Sequence, residues 1–144
     1  ILTGCAQKVL DPAINEATIR LLTRMGVEVV ITPGQGCCGA LTHHMGSHDP
    51  AMAAARANLR AWGAELDGQG LDGIIVNTSG CGTTIKDYGF MFREEPEAAL
   101  AARISALAMD VTEALERFGY QPSREAPKLT VAYHSACSLQ HGQK

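Results

Sequence analysis

The sequence lacks an apolar run long enough to span a bilayer. Its longest runs, at residues 29–31 and 74–76, have the length of β-strands, whereas a spanning helix needs about 18 residues. It also lacks any run of lysine or arginine, and its formal net charge is -3 with a pI near 5.9. Basic patches are what attract nucleic acid and anionic membrane surfaces. We therefore expect neither a transmembrane segment nor a nucleic-acid partner.

A secretion signal and Cys-x-x-Cys pairs are missing as well. The five cysteines are an odd number, are widely spaced except for one adjacent pair, and follow no signal peptide. Such thiols stay free or bind metal in a reducing compartment. We therefore expect a cytoplasmic protein, associated with a membrane only through a complex. The 144 residues suit one domain, and the start at Ile1 and the stop soon after Cys137 suggest a fragment of a longer protein.

Three segments have helical periodicity, and each starts at a proline preceded by an acidic residue. Proline suits the first helical position, and an acidic group stabilises the positive end of a helix. The predicted helices run from Pro12 to a stop at Gly26, from about residue 50 to 66, and from about residue 96 to 118. Apolar residues at intervals of three and four predict one buried face on each helix. These faces are Ile14, Ala17, Thr18, Leu21, Leu22 and Met25; Met52, Ala55, Leu59 and Trp62; and Leu100, Ile104, Leu107, Val111, Leu115 and Phe118.

Short β-branched runs lie between and after these helices, at residues 27–31, 74–77 and 129–133. Residues 1–3 are expected to be the remainder of another strand. Continuous apolar runs of this length that alternate with helices indicate a parallel sheet. The predicted fold class is therefore α/β, an open parallel sheet with helices on both faces and the cysteines at the C-terminal ends of the strands.

The adjacent pair Cys37-Cys38, followed by Gly39, is the most informative part of the sequence. Adjacent cysteines rarely bond to each other, because the peptide between them would have to distort. Cys5, Cys81 and Cys137 also come a few residues after predicted strands, at the edge where open α/β sheets bind ligands. We therefore predict that thiolates converge on one metal centre. The gaps of 32 residues from Cys5 to Cys37 and 43 from Cys38 to Cys81 do not match a zinc ribbon.

Three stretches around these cysteines carry a family resemblance. They are Leu2-Thr3-Gly4-Cys5-Ala6-Gln7, Gly36-Cys37-Cys38-Gly39-Ala40-Leu41 and Asn77-Thr78-Ser79-Gly80-Cys81-Gly82. They resemble the cysteine-rich CCG domain of heterodisulfide reductase and, more closely, of the iron-sulfur subunit of bacterial glycolate oxidase. That family carries two CCG repeats. The resemblance implies a first repeat at residues 1–127 and, from Tyr133-His134-Ser135-Ala136-Cys137, the truncated start of a second repeat at residues 128–144.

The resemblance also implies a cofactor and a role. Cys5, Cys37, Cys38 and Cys81 would bind a 4Fe-4S cluster, for which four thiolates are the usual ligand number, and Cys137 would belong to a metal site of the second repeat. The fullest family motif ends in Cys-x-x-Cys, but Thr84 stands at the last position here, which favours electron relay over thiol chemistry. Family members work with a flavin-binding dehydrogenase subunit. The expected function is thus part of the iron-sulfur electron-transfer subunit of a glycolate oxidase-type 2-hydroxy-acid dehydrogenase, not catalytic on its own.

Other interpretations use the same thiols. A structural zinc-binding docking module and a heterodisulfide reductase-like thiol/disulfide redox domain both remain open, and so does a pair of small buried residues at Cys37 and Cys38. In an isolated fragment, the cluster is expected to be lost or replaced by zinc. The truncated repeat offers a surface for a homo-oligomer.

Several polar residues near the cysteines have simpler interpretations. His43, His44 and His48 are expected to face solvent, because adjacent residues on a helix do not point the same way. Lys86, Asp87 and Tyr88 are interpreted as an ordinary helix exit.

Overall fold

The computed structural model describes residues 1–122 and 127–143. Within these ranges the chain forms eight α-helices, two short strands and one π-helical turn. In chain order they are α1 (Gln7–Leu10), α2 (Ala13–Arg24), α3 (Ala40–His44), α4 (His48–Gly68), β1 (Ile74–Val76), α5 (Ser79–Lys86), α6 (Tyr88–Met91), α7 (Ala98–Leu107), β2 (Ala108–Asp110), α8 (Val111–Arg117) and the π-helical turn (Ser138–Gln143). None of the helices in the described part of the chain has both the length and the apolar character that a membrane span requires.

The first two predicted helices are confirmed as α2 and α4. All four residues of the face predicted for α4, from Met52 to Trp62, are buried. The face predicted for α2 is partly wrong, because Ile14 is 41 % exposed and the buried residues are Asn15, Thr18 and Leu22. On the buried side of the helix, Asn15 donates a hydrogen bond to Thr3 O at 2.7 Å, which satisfies its buried amide.

The third predicted helix is wrong as a single element. The segment consists of α7, the strand β2 and α8. Asp110 ends β2 and also caps α8: its side chain accepts a hydrogen bond from Thr112 N at 2.9 Å, and Glu113 accepts one from Asp110 N at 2.6 Å. This capping box satisfies backbone donors that the start of a helix leaves free, so it fixes a helix start in the middle of an apolar, helix-like pattern.

The sheet has two parallel strands, which makes the described fold a helix-rich α/β arrangement. In the register, Ile74 pairs with Ala108 and Val76 pairs with Asp110. The strand predicted at residues 74–77 is confirmed, while residues 1–3 and 27–31 carry no strand assignment. Residues 1–3 still lie beside β1, because Leu2 N donates to Ile75 O at 2.9 Å. Residues 27–31 lie beside residues 1–3, because the amino group of Ile1 donates to Val30 O at 2.9 Å.

The strand predicted at residues 129–133 is wrong, since this segment is irregular and exposed, with Tyr133 81 % exposed. Parts of the predicted repeats lie outside the described residues, namely residues 123–126 of the first and Lys144 of the second. The boundary between the two repeats therefore stays a prediction.

Two buried clusters form the core. The larger one joins α4, α5, α6 and α7 to one side of the strands and includes Leu59, Trp62, Val76, Phe92 and Cys38. The smaller one contains Leu22, Ile75, Met109 and Ala114. Successive residues of β1 therefore enter different clusters, as the alternation of side chains along a strand requires. The C-terminal end of β1 leads through Asn77 directly into α5, which carries Cys81.

Candidate functional site

Four cysteine thiols come together at one edge of the fold. The Sγ atoms of Cys5 and Cys37 lie 3.5 Å apart although 32 residues separate them. Cys38 and Cys81 interact through their thiols, and Cys81 packs against the buried cluster that contains Cys38. We refer to Cys5, Cys37, Cys38 and Cys81 as the cysteine site.

The cysteine site is asymmetric in its exposure. Cys38 is only 2 % exposed, Cys37 and Cys81 are half-buried, and Cys5 is exposed. One side of the site is therefore part of the core, and the other side is open to solvent.

The four thiols perturb one another's ionisation. The hydrogen bond from the Cys81 thiol lowers the pKa of Cys38 to about 7, although burial acts in the opposite direction. The same hydrogen bond, with burial and the nearby sulfur charges, raises the pKa of Cys81. Burial is the main cause that raises the pKa of Cys37. In a group of close thiols one ionisation makes the next one harder, and the opposite directions of these shifts make Cys38 more acidic than Cys37 and Cys81.

Cys37 and Cys38 lie on the CCG loop, residues 36–39, which two buried side chains hold from the core. Asn58, on α4, accepts a hydrogen bond from Gly36 N at 2.8 Å and donates one to Cys37 O at 2.9 Å. The Tyr88 hydroxyl, on α6, donates to Cys38 O at 2.7 Å. The predicted helix exit is confirmed, since α5 ends at Lys86 and Asp87 caps it. Tyr88 does more than the prediction gave it, because it is fully buried and bonded to the CCG loop.

Gly39 ends the CCG loop in a conformation that suits glycine. Its φ is +84°, and a Cβ atom at this position would lie 2.9 Å from Ala51 O on α4. A side chain would thus meet both the unfavourable left-handed backbone region and a fixed backbone atom. The glycine lets the CCG loop lie directly on α4.

A second polar network joins the segment of Cys5 to the segment of Cys81. Gln7 Nε2 donates to Asn77 Oδ1 at 2.7 Å, and Asn77 Nδ2 donates to Asn15 Oδ1 at 3.0 Å and Thr18 Oγ1 at 2.9 Å. Asn15 in turn bonds to Thr3 O, two residues before Cys5. Because Asn77 precedes α5, the network fixes the spacing between the chain segments that carry Cys5 and Cys81.

Cys137 makes no described thiol contact with the cysteine site. It is exposed, and among the described residues no hydrogen bond joins its thiol to the other four. The π-helical turn that follows it packs on α5, where Thr83 Oγ1 donates to Ser138 O at 3.3 Å and Gln143 Nε2 donates to Ser79 O at 2.9 Å. A metal-binding role for Cys137 stays a prediction.

The histidines agree with the simpler interpretation only in part. His44 and His48 are exposed, whereas His43 is half-buried, and the rings of His43 and His44 lie 6.0 Å apart. Within residues 1–122 and 127–143, no three or more His, Cys, Asp or Glu side chains have the arrangement that holds a single metal ion.

The potential metal ligands of the cysteine site are all thiols. No hydrogen bond or ion pair between described residues brings a carboxylate, lysine or arginine to any of its four sulfur atoms. Thiolates are the ligands of iron-sulfur clusters, and four of them complete the usual set. The residues present therefore fit an iron-sulfur cluster in their chemistry.

The comparisons with known proteins agree with the sequence motifs. A family model for the cysteine-rich domain, CCG, matches residues 1–86, a stretch that includes all four residues of the cysteine site and excludes Cys137. The chain belongs to the cysteine-rich CCG domain family, as its three motif stretches predicted.

Related proteins align with more of the chain than the family model does. The chain is 37 % identical over 145 aligned residues to the "Glycolate oxidase iron-sulfur subunit" of Escherichia coli (strain K12), covering 100 % of the chain and 35 % of that protein. It is 31 % identical to the "Probable glycolate oxidase iron-sulfur subunit" of Bacillus subtilis (strain 168), covering 96 % of the chain and 31 % of that protein. It is 25 % identical to "Lactate utilization protein A" of an Exiguobacterium species, covering 96 % and 56 %. The chain thus spans about a third of the first two relatives. No solved structure matches it.

Proposed function

We propose that Cys5, Cys37, Cys38 and Cys81 hold an iron-sulfur cluster of the 4Fe-4S type. The observation that carries this proposal is the convergence of four thiols from three separate chain segments at one partly exposed edge. The hydrogen bond from Cys81 lowers the pKa of Cys38 and raises that of Cys81, so Cys38 gives up its proton more readily than Cys81. The thiols would lose their protons on binding, so uptake of the cluster would release protons.

In this proposal the buried and the exposed cysteines have different tasks. Cys38 and Cys81 would anchor the ligand on the core side, while the exposed Cys5 would face the solvent. Asn58 and Tyr88 would keep the CCG loop in place from beneath. Once bound, the cluster would supply one-electron transfer.

We further propose that the chain is part of the iron-sulfur electron-transfer subunit of a glycolate oxidase-type 2-hydroxy-acid dehydrogenase. The names of the Escherichia coli and Bacillus subtilis relatives support this role, and the Exiguobacterium relative, named for lactate utilisation, points to the same class of substrate. Oxidation of the hydroxy acid would occur on a flavin-binding partner subunit, from which this chain would relay electrons. Residues 128–144 would begin a second repeat, and a cytoplasmic location would keep all five cysteines reduced.

A thiol/disulfide redox domain is the second candidate, and the contact between Cys5 and Cys37 favours it. In that reaction the two thiols would form a disulfide, while a small disulfide substrate would take up their two electrons and two protons and be released as two thiols. The absence of a final Cys-x-x-Cys cysteine, with Thr84 at that position, makes it the weaker candidate.

Anaerobic reconstitution of the reduced chain with iron and sulfide tests the main proposal. We expect about four iron and four sulfide per chain, with visible sulfur-to-iron absorption. Replacing Cys5, Cys37, Cys38 or Cys81 by alanine should lower the iron content, whereas Cys137→Ala, the matched control, should leave it unchanged. Failure to retain iron and sulfide, both in this chain and in a longer protein that carries it, would refute the cluster.

Two further measurements separate the candidate roles. Mixing the loaded protein with a flavin-binding dehydrogenase subunit and glycolate should bleach the visible absorption if electrons are relayed. If the thiol/disulfide role is correct, the protein without iron should instead reduce oxidised glutathione over many turnovers when a dithiol reductant is supplied, beyond the single equivalent that oxidation of Cys5 and Cys37 consumes, and Cys5→Ala should abolish this turnover.

A further inference from the structure

Three backbone groups of the CCG loop are bonded to two side chains from the core. Gly36 N–H and Cys37 C=O bond to Asn58, and Cys38 C=O bonds to Tyr88. Asn58 and Tyr88 also lie in hydrogen-bond contact with each other at 3.4 Å. They come from different helices, 21 and 50 residues along the chain from their cysteine partners.

The polarity of this pair is unusual for its position. Asn58 and Tyr88 are both 0 % exposed, and Tyr88 packs edge-on against Phe92 with ring centroids 6.2 Å apart. A buried polar group stabilises the fold only when its hydrogen bonds are made, and an apolar residue would fill the same space without that requirement. Every side-chain hydrogen bond that the two residues make within the described part of the chain goes to the CCG loop or to the other member of the pair.

The direction of the two thiols depends on these bonds. Cys37 and Cys38 are neighbours in sequence, yet Cys37 meets the exposed Cys5 and Cys38 meets the half-buried Cys81. Rotation about the backbone bonds of Cys38 would change the direction of its side chain relative to that of Cys37, and at least one of these two contacts would then be lost. The carbonyl groups on either side of Cys38 N are those that Asn58 and Tyr88 hold, so the pair opposes that rotation.

We propose that Asn58 and Tyr88 are positioning residues that set the directions of the Cys37 and Cys38 thiols. The part of this inference that concerns a bound cluster rests on the proposed function, while the part that concerns the thiols does not. The test therefore has one measurement without iron and one with it.

The first measurement is the alkylation rate of each cysteine by N-ethylmaleimide in the full, reduced, iron-free chain. Tyr88→Phe removes one hydroxyl and keeps the ring, and Asn58→Ala removes the second partner. Because Cys38 is buried, its alkylation requires local opening of the CCG loop. We expect this rate to rise about five-fold or more in each variant, the factor that one buried hydrogen bond typically contributes, relative to the exposed Cys137 in the same sample.

Ser105→Ala is the matched control. Ser105 Oγ donates to Ile85 O at 3.0 Å and accepts from Gly89 N at 2.8 Å, so its removal also costs two hydrogen bonds without touching the CCG loop. We expect its Cys38 rate to stay within about two-fold of the wild type. Equal Cys38 rates in Tyr88→Phe, Asn58→Ala and Ser105→Ala, once matched for the loss of Tm, would overturn the inference.

The second measurement is the electron paramagnetic resonance spectrum and the lifetime in air of the reconstituted protein. Tyr88→Phe should alter the spectrum and shorten the lifetime, and Ser105→Ala should leave both as in the wild type. Identical spectra and lifetimes in Tyr88→Phe and the wild type would also overturn the inference, while the proposed function would stand. If the wild type retains no cluster, the proposed function fails and the alkylation rates alone decide the inference.

Discussion

The Sγ atoms of Cys5 and Cys37 lie 3.5 Å apart, across a sequence separation of 32 residues. A disulfide needs about 2.05 Å between its sulfur atoms, so a side-chain movement of about 1.5 Å, the difference between these distances, would join them. Cys5 is also the exposed member of the cysteine site, so within this site it is the thiol most accessible to an oxidant in solution.

We therefore predict that mild oxidation of the iron-free chain by oxidised glutathione gives mainly a Cys5–Cys37 disulfide. The thiolate of one cysteine displaces glutathione from the mixed disulfide on the other, and two molecules of reduced glutathione leave. Peptide mapping by mass spectrometry would identify the linked pair. Cys137→Ser should give the same product, and a product dominated by links to Cys137 would contradict the geometry.

A second prediction concerns Gly39 and uses Gly26 as its control. Both glycines have nearly the same backbone conformation, with φ of +84° and +83°, but only at Gly39 would a Cβ meet a backbone atom, Ala51 O at 2.9 Å. Gly26→Ala should lower the free energy of unfolding by about 1–2 kcal/mol through its backbone conformation alone. Gly39→Ala should cost at least about 1 kcal/mol more, because the CCG loop and α4 must separate.

Urea unfolding followed by circular dichroism would measure both variants. Equal losses for the two substitutions would mean that the close approach of the CCG loop to α4 is not a constraint. The comparison separates the effect of φ from the effect of contact, which a single variant cannot do.

A third prediction concerns pH and the Glu113 carboxylate. Partial burial would raise its pKa, but hydrogen bonds from Lys86 Nζ and Asp110 N, with the charge of Lys86, outweigh burial and hold the pKa below its ordinary value of 4.5. A group whose pKa is lower in the folded state stabilises the fold above its unfolded pKa. This contribution should be complete at neutral pH and lost as the pH falls below about 4.5 through the folded pKa.

Glu113→Gln keeps an oxygen for the Asp110 amide and removes the charge. We expect it to be less stable than the wild type at pH 7 by less than about 1 kcal/mol, because the carboxylate is largely exposed, and to match it near pH 3. Free energies of unfolding in urea between pH 3 and 7 would show this convergence. If the difference in free energy of unfolding between Glu113→Gln and the wild type stayed constant with pH, the ion pair between Lys86 and Glu113 would contribute nothing through its charge.

The cysteine site could be predicted from sequence because its signal is local. Cys37-Cys38-Gly39 combines a rare adjacent pair with a glycine that the backbone requires, and α4 carries an unbroken apolar stripe. The strand β2 could not be predicted from periodicity, because Ile104, Leu107 and Val111 keep helical spacing straight through it. The sequence Asp110-Val111-Thr112-Glu113 has the form of a capping box and is the signal that a new helix starts there.

Asn58 and Tyr88 had no such local signal. A buried asparagine in a helix looks like any polar residue on a helical face, and its role depends on backbone groups more than 20 residues away. The same is true of Asn77, whose three partners come from the first 18 residues of the chain. Long-range polar contacts of this kind are fixed by the tertiary fold, so composition and periodicity do not reveal them.

The thiol of Cys38 is packed in the same cluster as Trp62 and Phe92, which has a thermodynamic consequence. A ligand that binds only the folded state raises the melting temperature by mass action, and here the binding atom is itself a piece of the hydrophobic interior. Ligand binding at Cys38 and the thermal stability of α4 and α6 should therefore depend on each other. A mutation that loosens the packing around Trp62 and Phe92 would weaken retention of the ligand even with all four cysteines in place.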